Sequence, residues 1–448
     1  MVTNPPIQSH LTAREIASSL AKETVTLPNE TKYLAFAGGG ATAFAELGVY
    51  NALYDNDKLG ALEEVAGTSA GSMMAGLVAL GYHGDEFIPL TVDQDFSILT
   101  SLEGTSEKLA LLPNLLGKKS GIFTGDSIGK WMEHAITKRI GHPEMTFEEL
   151  HQWREEAKKS IETGDLSFFE TKAREAFPRE KIYANRYEQF HNIKAANGSP
   201  APFKVDFDTA EQLRDNVLKM KDLHVVASKV IEVDGEKTYE KVVFNHKNEA
   251  YKSVPIAQAI EASASFPFVF AQECINGELF TDGGLVNNIP IEIFDGSYGE
   301  VNPHALAISV NYVPTEGNVK ESTQDAFVKL VNLRNKIPGL PDWDVEAARK
   351  IFRVHMQEEL NDKRDTDRTI AVNVPDVDYT DFGISRELKL QTQNVGYARG
   401  MEVITANKTQ YHTNYIQNST SPLKKFSWVS TVTEPPNFTS SQSTTFQR

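Results

Sequence analysis

Residues 65–73 read Val65-Ala66-Gly67-Thr68-Ser69-Ala70-Gly71-Ser72-Met73. A short apolar run, a G-x-S-x-G turn and a helix-favouring run to Leu80 predict a strand, a very tight turn and a helix. Small residues suit the positions around Ser69 because the strand and the helix crowd the turn. The hydroxyl would stand at a helix N-terminus, where the dipole favours developing negative charge. The segment predicts a nucleophilic serine, although the pentapeptide alone also fits an ordinary strand-to-helix turn.

The sequence before this turn follows the same strand-to-helix plan. Residues 33–37 form a continuous apolar run, which is typical of a buried strand, and the run ends in Gly38-Gly39-Gly40. A helix with an apolar stripe follows, formed by Phe44, Leu47, Tyr50 and Leu53. The resulting βαβα order predicts an α/β fold with a mainly parallel central sheet flanked by helices. Further strands are expected at 223–227, 229–233, 241–244 and 305–310.

Composition shifts predict how the chain is organised. We expect an N-terminal lead-in (1–30), a main domain (31–320), a mostly helical C-terminal region (321–412) and a polar tail (413–448). The charged segment 148–220 reads as a helical insertion in the main domain. It could be a cap over the active site, a partner surface or a plain solvated hairpin. Helices are expected at 322–335, 344–360 and 384–406.

Charge and hydropathy exclude several classes of protein. The 448 residues carry a net charge of −16, which argues against non-specific nucleic-acid binding. The sequence contains no run of 18 apolar residues and its first 20 residues hold no signal-peptide core, so neither a membrane-spanning helix nor a Sec signal is expected. We therefore expect a protein that is cytoplasmic, or delivered without a Sec signal, and peripheral at membranes. The one cysteine, Cys274, excludes an intrachain disulfide and is expected to be packed.

A nucleophilic serine needs donors for the oxyanion that forms on the substrate. The Gly38-Gly39-Gly40 turn follows the first strand, and in a parallel sheet it lies at the same edge as the Ser69 turn. Side-chain-free backbone there can direct several N–H groups at one point. A phosphate-binding loop is the competing reading, but residues 38–43 lack the G-K-[ST] of a P-loop, and Ala43 breaks a G-x-G-x-x-G match.

The serine also needs a base. An ordinary Ser-His-Asp hydrolase would use a later histidine, for which His304, His355 and His412 are the candidates. Asp282 is the stronger candidate because it follows a strand-like run and precedes two glycines, so that another group can approach it closely. A carboxylate can act as a general base when it is partly removed from water. Seen alone, the Asp-Gly-Gly sequence is also a common hairpin turn.

Four motifs in this order resemble those of the patatin-like phospholipases, over about residues 33–310. They are Gly38-Gly39-Gly40, Gly67-Thr68-Ser69-Ala70-Gly71, Ala262-Ser263 with Pro267, and Asp282-Gly283-Gly284 with Asn287-Asn288 and Pro290. The resemblance implies hydrolysis of lipid acyl esters by a Ser–Asp dyad that lacks histidine. It implies Ser69 as the nucleophile, Asp282 as the base and the Gly38, Gly39 and Gly40 amides as the oxyanion donors. It implies no metal or cofactor.

The chain departs from the family at the glycine turn. The family pattern is G-G-G-x-R/K-G, whereas Thr42 and Ala43 stand at the basic and last glycine positions here. We expect a phospholipid or lysophospholipid substrate, peripheral membrane contact, no nucleic acid and a possible need for a protein activator. A weakly active or partner-gated interaction protein on the same scaffold is the alternative. Residues 111–119 and 422–428 mix apolar and basic residues, as interfacial segments do.

Overall fold

The computed structural model describes residues 25–99, 121–123, 125–190, 203–234, 236–313, 363–377, 379 and 381–418. The chain divides into one compact unit of residues 1–407 and a second of residues 408–448, of which the structure describes only a helical stretch to Asn418. The expected helices at 322–335 and 344–360, the membrane-contact segments 111–119 and 422–428, and most of the lead-in and tail lie outside the described residues. Within them, none of the helices is both long and apolar enough to span a bilayer.

The architecture is mixed α/β around an eight-stranded sheet, as predicted. The sheet order is β10-β9-β1-β2-β4-β8-β7 with β5 also paired to β4, while β3 and β6 form a separate parallel pair. The strands are β1 Tyr33–Phe36, β2 Glu64–Thr68, β3 Gly121–Phe123, β4 Asp222–Val233, β5 Glu236–Phe244, β6 Phe268–Phe270, β7 Glu273–Ile275, β8 Glu278–Asp282, β9 Ala305–Val313 and β10 Thr369–Pro375. The five strands from β10 to β4 are parallel, and β5, β8 and β7 add antiparallel pairings.

Helices connect and cover these strands. The described α-helices are α1 Phe44–Asp55, α2 Ala70–Ala79, α3 Asp126–Ile140, α4 Phe147–Thr163, α5 Ser167–Ala176, α6 Glu180–Arg186, α7 Ala210–Lys219, α8 Ile256–Ser263, α9 Lys363–Thr366 and α10 Arg386–Asn418. Short 3-10 helices occur at Gly40–Ala43, Gly84–Leu90, Phe96–Leu99, Phe177–Arg179, Glu188–Phe190, Gly283–Leu285, Pro290–Phe294 and Ser297–Gly299.

The central strands are buried on both faces. Consecutive residues 34–36 of β1 and 65–66 of β2 are fully buried, as expected for parallel strands covered on both sides. On one face they join the main core, to which α1, α2 and α8 contribute. On the other face, small alanines pack against Ile289 and Ile291 at the 3-10 helix Pro290–Phe294.

The pairing of β4 brings together the ends of two strands, β2 and β8, that are far apart in the sequence. Strand β5 occupies one edge of β4 from Val225 to Val233. Along the other edge, β2 pairs as far as Thr68 with Val226, and β8 begins at the next position with Asp282 opposite Ala227. Because β2 runs parallel to β4 and β8 runs antiparallel, their carboxyl ends meet head-on. The residue after β2 and the last residue of β8 are therefore neighbours.

The segment predicted as an insertion contains α4 to α7, and its first helix reaches the opposite end of the sheet. His151 and Arg154 of α4 contact Asp222, the first residue of β4. Asp222 pairs with Glu64 at the amino ends of the strands, so this contact lies away from the turn after β2. The domain boundaries themselves remain a prediction.

The structure adds one strand to the expected fold and corrects two expectations. The C-terminal region, predicted as mostly helical, also supplies β10, which extends the sheet by pairing Thr369 with Ala307 in parallel. The strands expected at 223–227 and 229–233 form the single strand β4. Cys274 is exposed rather than packed, because it lies on the short hairpin strand β7.

Candidate active site

Ser69 lies between β2 and α2 in a conformation that few residues adopt. Its backbone has φ 53° and ψ −129°, outside the well-populated regions for a residue with a side chain. Such backbone strain costs about 1–3 kcal/mol and is concentrated at functional sites. The flanking glycines are required, since a Cβ on Gly71 would lie 2.3 Å from the carbonyl oxygen of Ala37 and one on Gly67 would lie 2.4 Å from that of Gly71. The predicted strand, tight turn and helix are therefore all present.

The structure brings Ser69 and Asp282 together. The Ser69 hydroxyl donates a hydrogen bond to Asp282 Oδ2 at 2.6 Å, although the two residues are 213 positions apart. Ser69 is 8% exposed and Asp282 is fully buried. A serine hydroxyl held against a carboxylate in a site with little water can transfer its proton directly to that carboxylate.

Asp282 is fixed on several sides by neighbouring groups. Its Oδ1 accepts the Gly284 N–H at 2.8 Å, which leaves Oδ2 directed at Ser69. Its own amide donates to Ser265 O at 3.0 Å, and its carbonyl accepts the Ser228 hydroxyl at 2.7 Å. The Asp-Gly-Gly segment leads into the 3-10 helix Gly283–Leu285 rather than a hairpin turn.

The glycine turn lies beside Ser69, and its three amides are not equivalent. The Gly38 amide donates to Asn288 O at 3.0 Å, and Asn288 Nδ2 donates back to Gly38 O at 3.1 Å. A Cβ on Gly38 would lie 3.2 Å from Ser69 Cβ, so the turn and the serine are in close contact. The Gly39 and Gly40 amides donate none of the hydrogen bonds described within the structured ranges. Of the three predicted donors, Gly38 is thus already engaged.

Thr42 stabilises the turn from within. Its side chain is fully buried, and its hydroxyl donates to Gly39 O at 2.7 Å while its amide donates to the same oxygen at 3.0 Å. Gly40 has φ +51°, and a Cβ there would lie 2.0 Å from Tyr379 O. The position that is basic in the family therefore carries a short buried hydroxyl that fixes the turn.

The structure separates one histidine candidate from this site. His304 precedes β9 at the amino edge of the sheet, where its ring lies 3.0 Å from Glu30 O. Ser69 follows the carboxyl end of β2, so the sheet separates them. His355 lies outside the described residues, and the side chain of His412 is likewise not described.

Among the described residues, His151, Asp222 and His246 form a group whose side chains are of the types that bind metal ions. This group also lies at the amino edge of the sheet. Its present arrangement is that of an ion-pair cluster. The two imidazole rings stack 4.1 Å apart and are parallel within 1°, so an ion shared between them would lie outside both ring planes. Asp222 is also paired with the Arg154 guanidinium, and this group stands apart from Ser69.

Two carboxyl groups with raised pKa values, the fully buried Glu46 and the partly buried Glu261, lie in helices that support the site. Burial raises the pKa of Glu46, in the first turn of α1, well above its ordinary value. Burial, with added repulsion from Glu273 and Asp126, raises the pKa of Glu261 in α8 to about 8. Both groups therefore favour the protonated form at neutral pH.

Sequence reasoning missed some of the residues that build this site. From the sequence, neither Ser263 nor Asn288 has a role of its own, and Thr42 is not identified as a hydrogen-bond donor. The Ser263 hydroxyl accepts a hydrogen bond from the Ser69 amide at 2.9 Å. Asn288 forms hydrogen bonds with both the amide and the carbonyl of Gly38. The motif spacing of Ala262-Ser263 and Asn287-Asn288 was a signal for their place in the site, but not for their partners.

The fold and the site geometry together define a class of α/β protein with a serine at a strand-to-helix turn and a buried aspartate beside it. The family model described as patatin-like phospholipase matches residues 34–295, more than half of the chain. The chain belongs to the patatin-like phospholipase family, and this membership supports lipid hydrolase activity.

Individual relatives are distant. The uncharacterized protein R571 of Acanthamoeba polyphaga mimivirus is 21% identical over 268 residues, which is 60% of this chain and 62% of that protein. The chain thus spans about three-fifths of this relative. The structure of VipD from Legionella pneumophila is 18% identical with a TM-score of 0.45, covering 84% of this chain and 67% of VipD. ExoU in its complex with SpcU, from Pseudomonas aeruginosa, is 19% identical with a TM-score of 0.38, covering 85% of this chain and 52% of the other.

Proposed function

We propose that the protein hydrolyses carboxylic esters of membrane lipids, as a phospholipase A or lysophospholipase, through a Ser69–Asp282 dyad. The observation that carries the proposal is the 2.6 Å hydrogen bond from the Ser69 hydroxyl to a fully buried carboxylate. The family match supports the substrate class.

The proposed reaction has two halves. Ser69 Oγ attacks the ester carbonyl carbon while its proton passes to Asp282 Oδ2. The tetrahedral intermediate then expels the alcohol, which takes that proton, and an acyl-enzyme remains on Ser69. Asp282 next accepts a proton from water, which attacks the acyl-enzyme and releases the fatty acid, and Ser69 recovers its proton. Each step uses the same two atoms that are already hydrogen-bonded.

The negative charge on the carbonyl oxygen needs donors that are fixed before the reaction. The Gly39 and Gly40 amides fit this role because Gly38 is held by Asn288 and Thr42 holds the Gly39 carbonyl. We assign Gly38 to positioning within the predicted Gly38–Gly40 oxyanion hole. Loss of one fixed donor typically costs about 3–4 kcal/mol of transition-state stabilisation.

The substrate sets the expected partners. A diacyl phospholipid is held in a bilayer, so the protein must contact the membrane surface while it turns over. A net charge of −16 disfavours simple attraction to anionic lipids, and a protein activator would provide another route to the surface.

The test is release of fatty acid from phospholipid vesicles and lysophospholipid micelles by purified protein. Wild type should release acid, whereas Ser69→Ala and Asp282→Asn should lose nearly all activity while remaining folded. Asp208→Asn, which removes an exposed carboxylate paired with Lys204, is the matched control and should behave as wild type. Full activity in Ser69→Ala would refute the proposal.

The same assay with added cell extract distinguishes the alternative. Activity that appears only with extract indicates a partner-gated enzyme. Failure in both conditions by a folded protein favours a scaffold without turnover.

A further inference from the structure

The bend that follows α8 contacts both members of the dyad. Ser263, the last residue of α8, accepts the Ser69 N–H at its hydroxyl oxygen over 2.9 Å. Two residues later, the Ser265 carbonyl accepts the Asp282 amide at 3.0 Å and the Thr281 hydroxyl at 2.8 Å. One short segment therefore holds the serine on one side and the aspartate on the other.

Ser263 is a fully buried bridge with both of its hydrogen-bonding functions in use. While it accepts from Ser69, its hydroxyl donates to Val226 O at 2.6 Å. Val226 is the β4 residue that pairs with Thr68, immediately before Ser69, and the next β4 residue pairs with Asp282. The bridge therefore joins the serine turn to the point of β4 where β2 and β8 meet.

We propose that Ser263 is a positioning residue for the Ser69 nucleophile; this rests on the proposed function. The strained Ser69 backbone needs an external constraint, and the bond to its amide supplies one next to the reacting hydroxyl. Without it, the Ser69 amide is a buried donor lacking its partner, and the turn relaxes to satisfy it. A small displacement of Ser69 Oγ relative to Asp282 Oδ2 and to the glycine amides slows attack without altering how the lipid binds.

The decisive comparison is Ser263→Ala against Ser265→Ala. Ser265 is also buried, lies on the same bend and donates to a backbone carbonyl, that of Glu261, at 2.8 Å. Its contacts with Asp282 and Thr281 use its backbone, so the alanine variant retains them. The two variants lose a similar buried hydroxyl, but only one of these hydroxyls contacts Ser69.

Two readouts separate positioning from simple destabilisation. We expect Ser263→Ala to lower kcat by about 10- to 100-fold with KM within about twofold of wild type, and Ser265→Ala to keep kcat within about threefold. The labelling rate of Ser69 by a fluorophosphonate probe should fall in parallel with kcat. Ser263→Thr, which retains the hydroxyl, should recover most of the labelling rate even if its extra methyl lowers the melting temperature. If the alanine variant does not fold, Ser263→Cys keeps the volume with a weaker hydrogen-bonding group and is measured instead.

Each outcome has one meaning. Equal kcat and labelling rates in the Ser263 and Ser265 variants, or a raised KM with unchanged kcat, would overturn the role of Ser263 alone. A folded wild type that neither releases fatty acid nor is labelled at Ser69 would overturn the proposed function and this role together.

Discussion

Replacing Thr42 tests whether its hydroxyl, at the position that is basic in the family, stabilises the glycine turn. The Gly39 carbonyl accepts two hydrogen bonds from Thr42, one from the hydroxyl at 2.7 Å and one from the amide at 3.0 Å. Thr42→Val removes only the first, because valine has nearly the same shape and the same stiffness at χ1. A hydrogen bond of this kind contributes about 0.5–1.5 kcal/mol. If that loss loosens the turn in the transition state, kcat falls by about two- to tenfold.

Thr42→Ser is the matched control, since it retains the hydroxyl and loses a buried methyl group. That methyl group is worth about 0.8 kcal/mol, so both variants should lose similar stability in urea unfolding. Fatty-acid release should nevertheless fall only in Thr42→Val. Equal kcat values for the two variants would refute the reasoning, because stability alone would then explain the effect of the valine.

Three further predictions follow from the same geometry. Gly40→Ala should reduce activity by at least about 100-fold, because the residue has φ +51° and a Cβ there would lie 2.0 Å from Tyr379 O. Gly60→Ala is the control and should keep wild-type activity, because a Cβ at Gly60 would meet nothing within 4 Å. Equal activities of the two variants would contradict this prediction. Ser69→Gly should abolish activity but have a higher melting temperature than Ser69→Ala, because glycine relieves backbone strain at residue 69 worth about 1–3 kcal/mol. An equal or lower melting temperature for Ser69→Gly would count against that strain. Glu261, with a pKa raised to about 8 in the fold against an ordinary 4.5, keeps its proton while the unfolded chain loses it, so stability should fall as pH rises from 4.5 to 8. The Glu261 contribution to this fall is at most roughly 5 kcal/mol, and Glu261→Gln should remove it in urea titrations while the contribution of buried Glu46 remains; an unchanged pH slope would contradict the assignment.

The sequence was sufficient for the local units of the fold. Alternation of strand-like and helix-like runs predicted a parallel sheet, and the crowding at Gly67 and Gly71 in the structure is the reason that G-x-S-x-G predicts a tight turn. The motif resemblance implies the pairing of Ser69 with Asp282, which the position of Asp282 after a strand-like run also favours. These inferences rest on short-range backbone sterics and on motif order, both of which a single sequence contains.

Other features depend on long-range pairing that local patterns do not encode. Asp282 reaches Ser69 because β8 takes over the edge of β4 where β2 ends, and hydrophobic periodicity cannot specify that register. Strand β10 does carry a local signal, the run rich in β-branched residues from Thr369 to Val374, but its place beside β9 depends on long-range pairing. The hydrogen bond from the Ser69 amide to Ser263 Oγ joins residues 194 positions apart, so the motif indicates that Ser263 is important but does not identify its partner.

The most direct measurement is peptide mass spectrometry of the protein quenched during turnover of a phospholipid. A covalent acyl-enzyme requires an acyl group on the peptide that contains Ser69. We expect this adduct in wild type, its absence in Ser69→Ala, and strongly reduced formation in Asp282→Asn. Fatty-acid release at the wild-type rate by Ser69→Ala, without an acyl group on that peptide, would contradict the central claim.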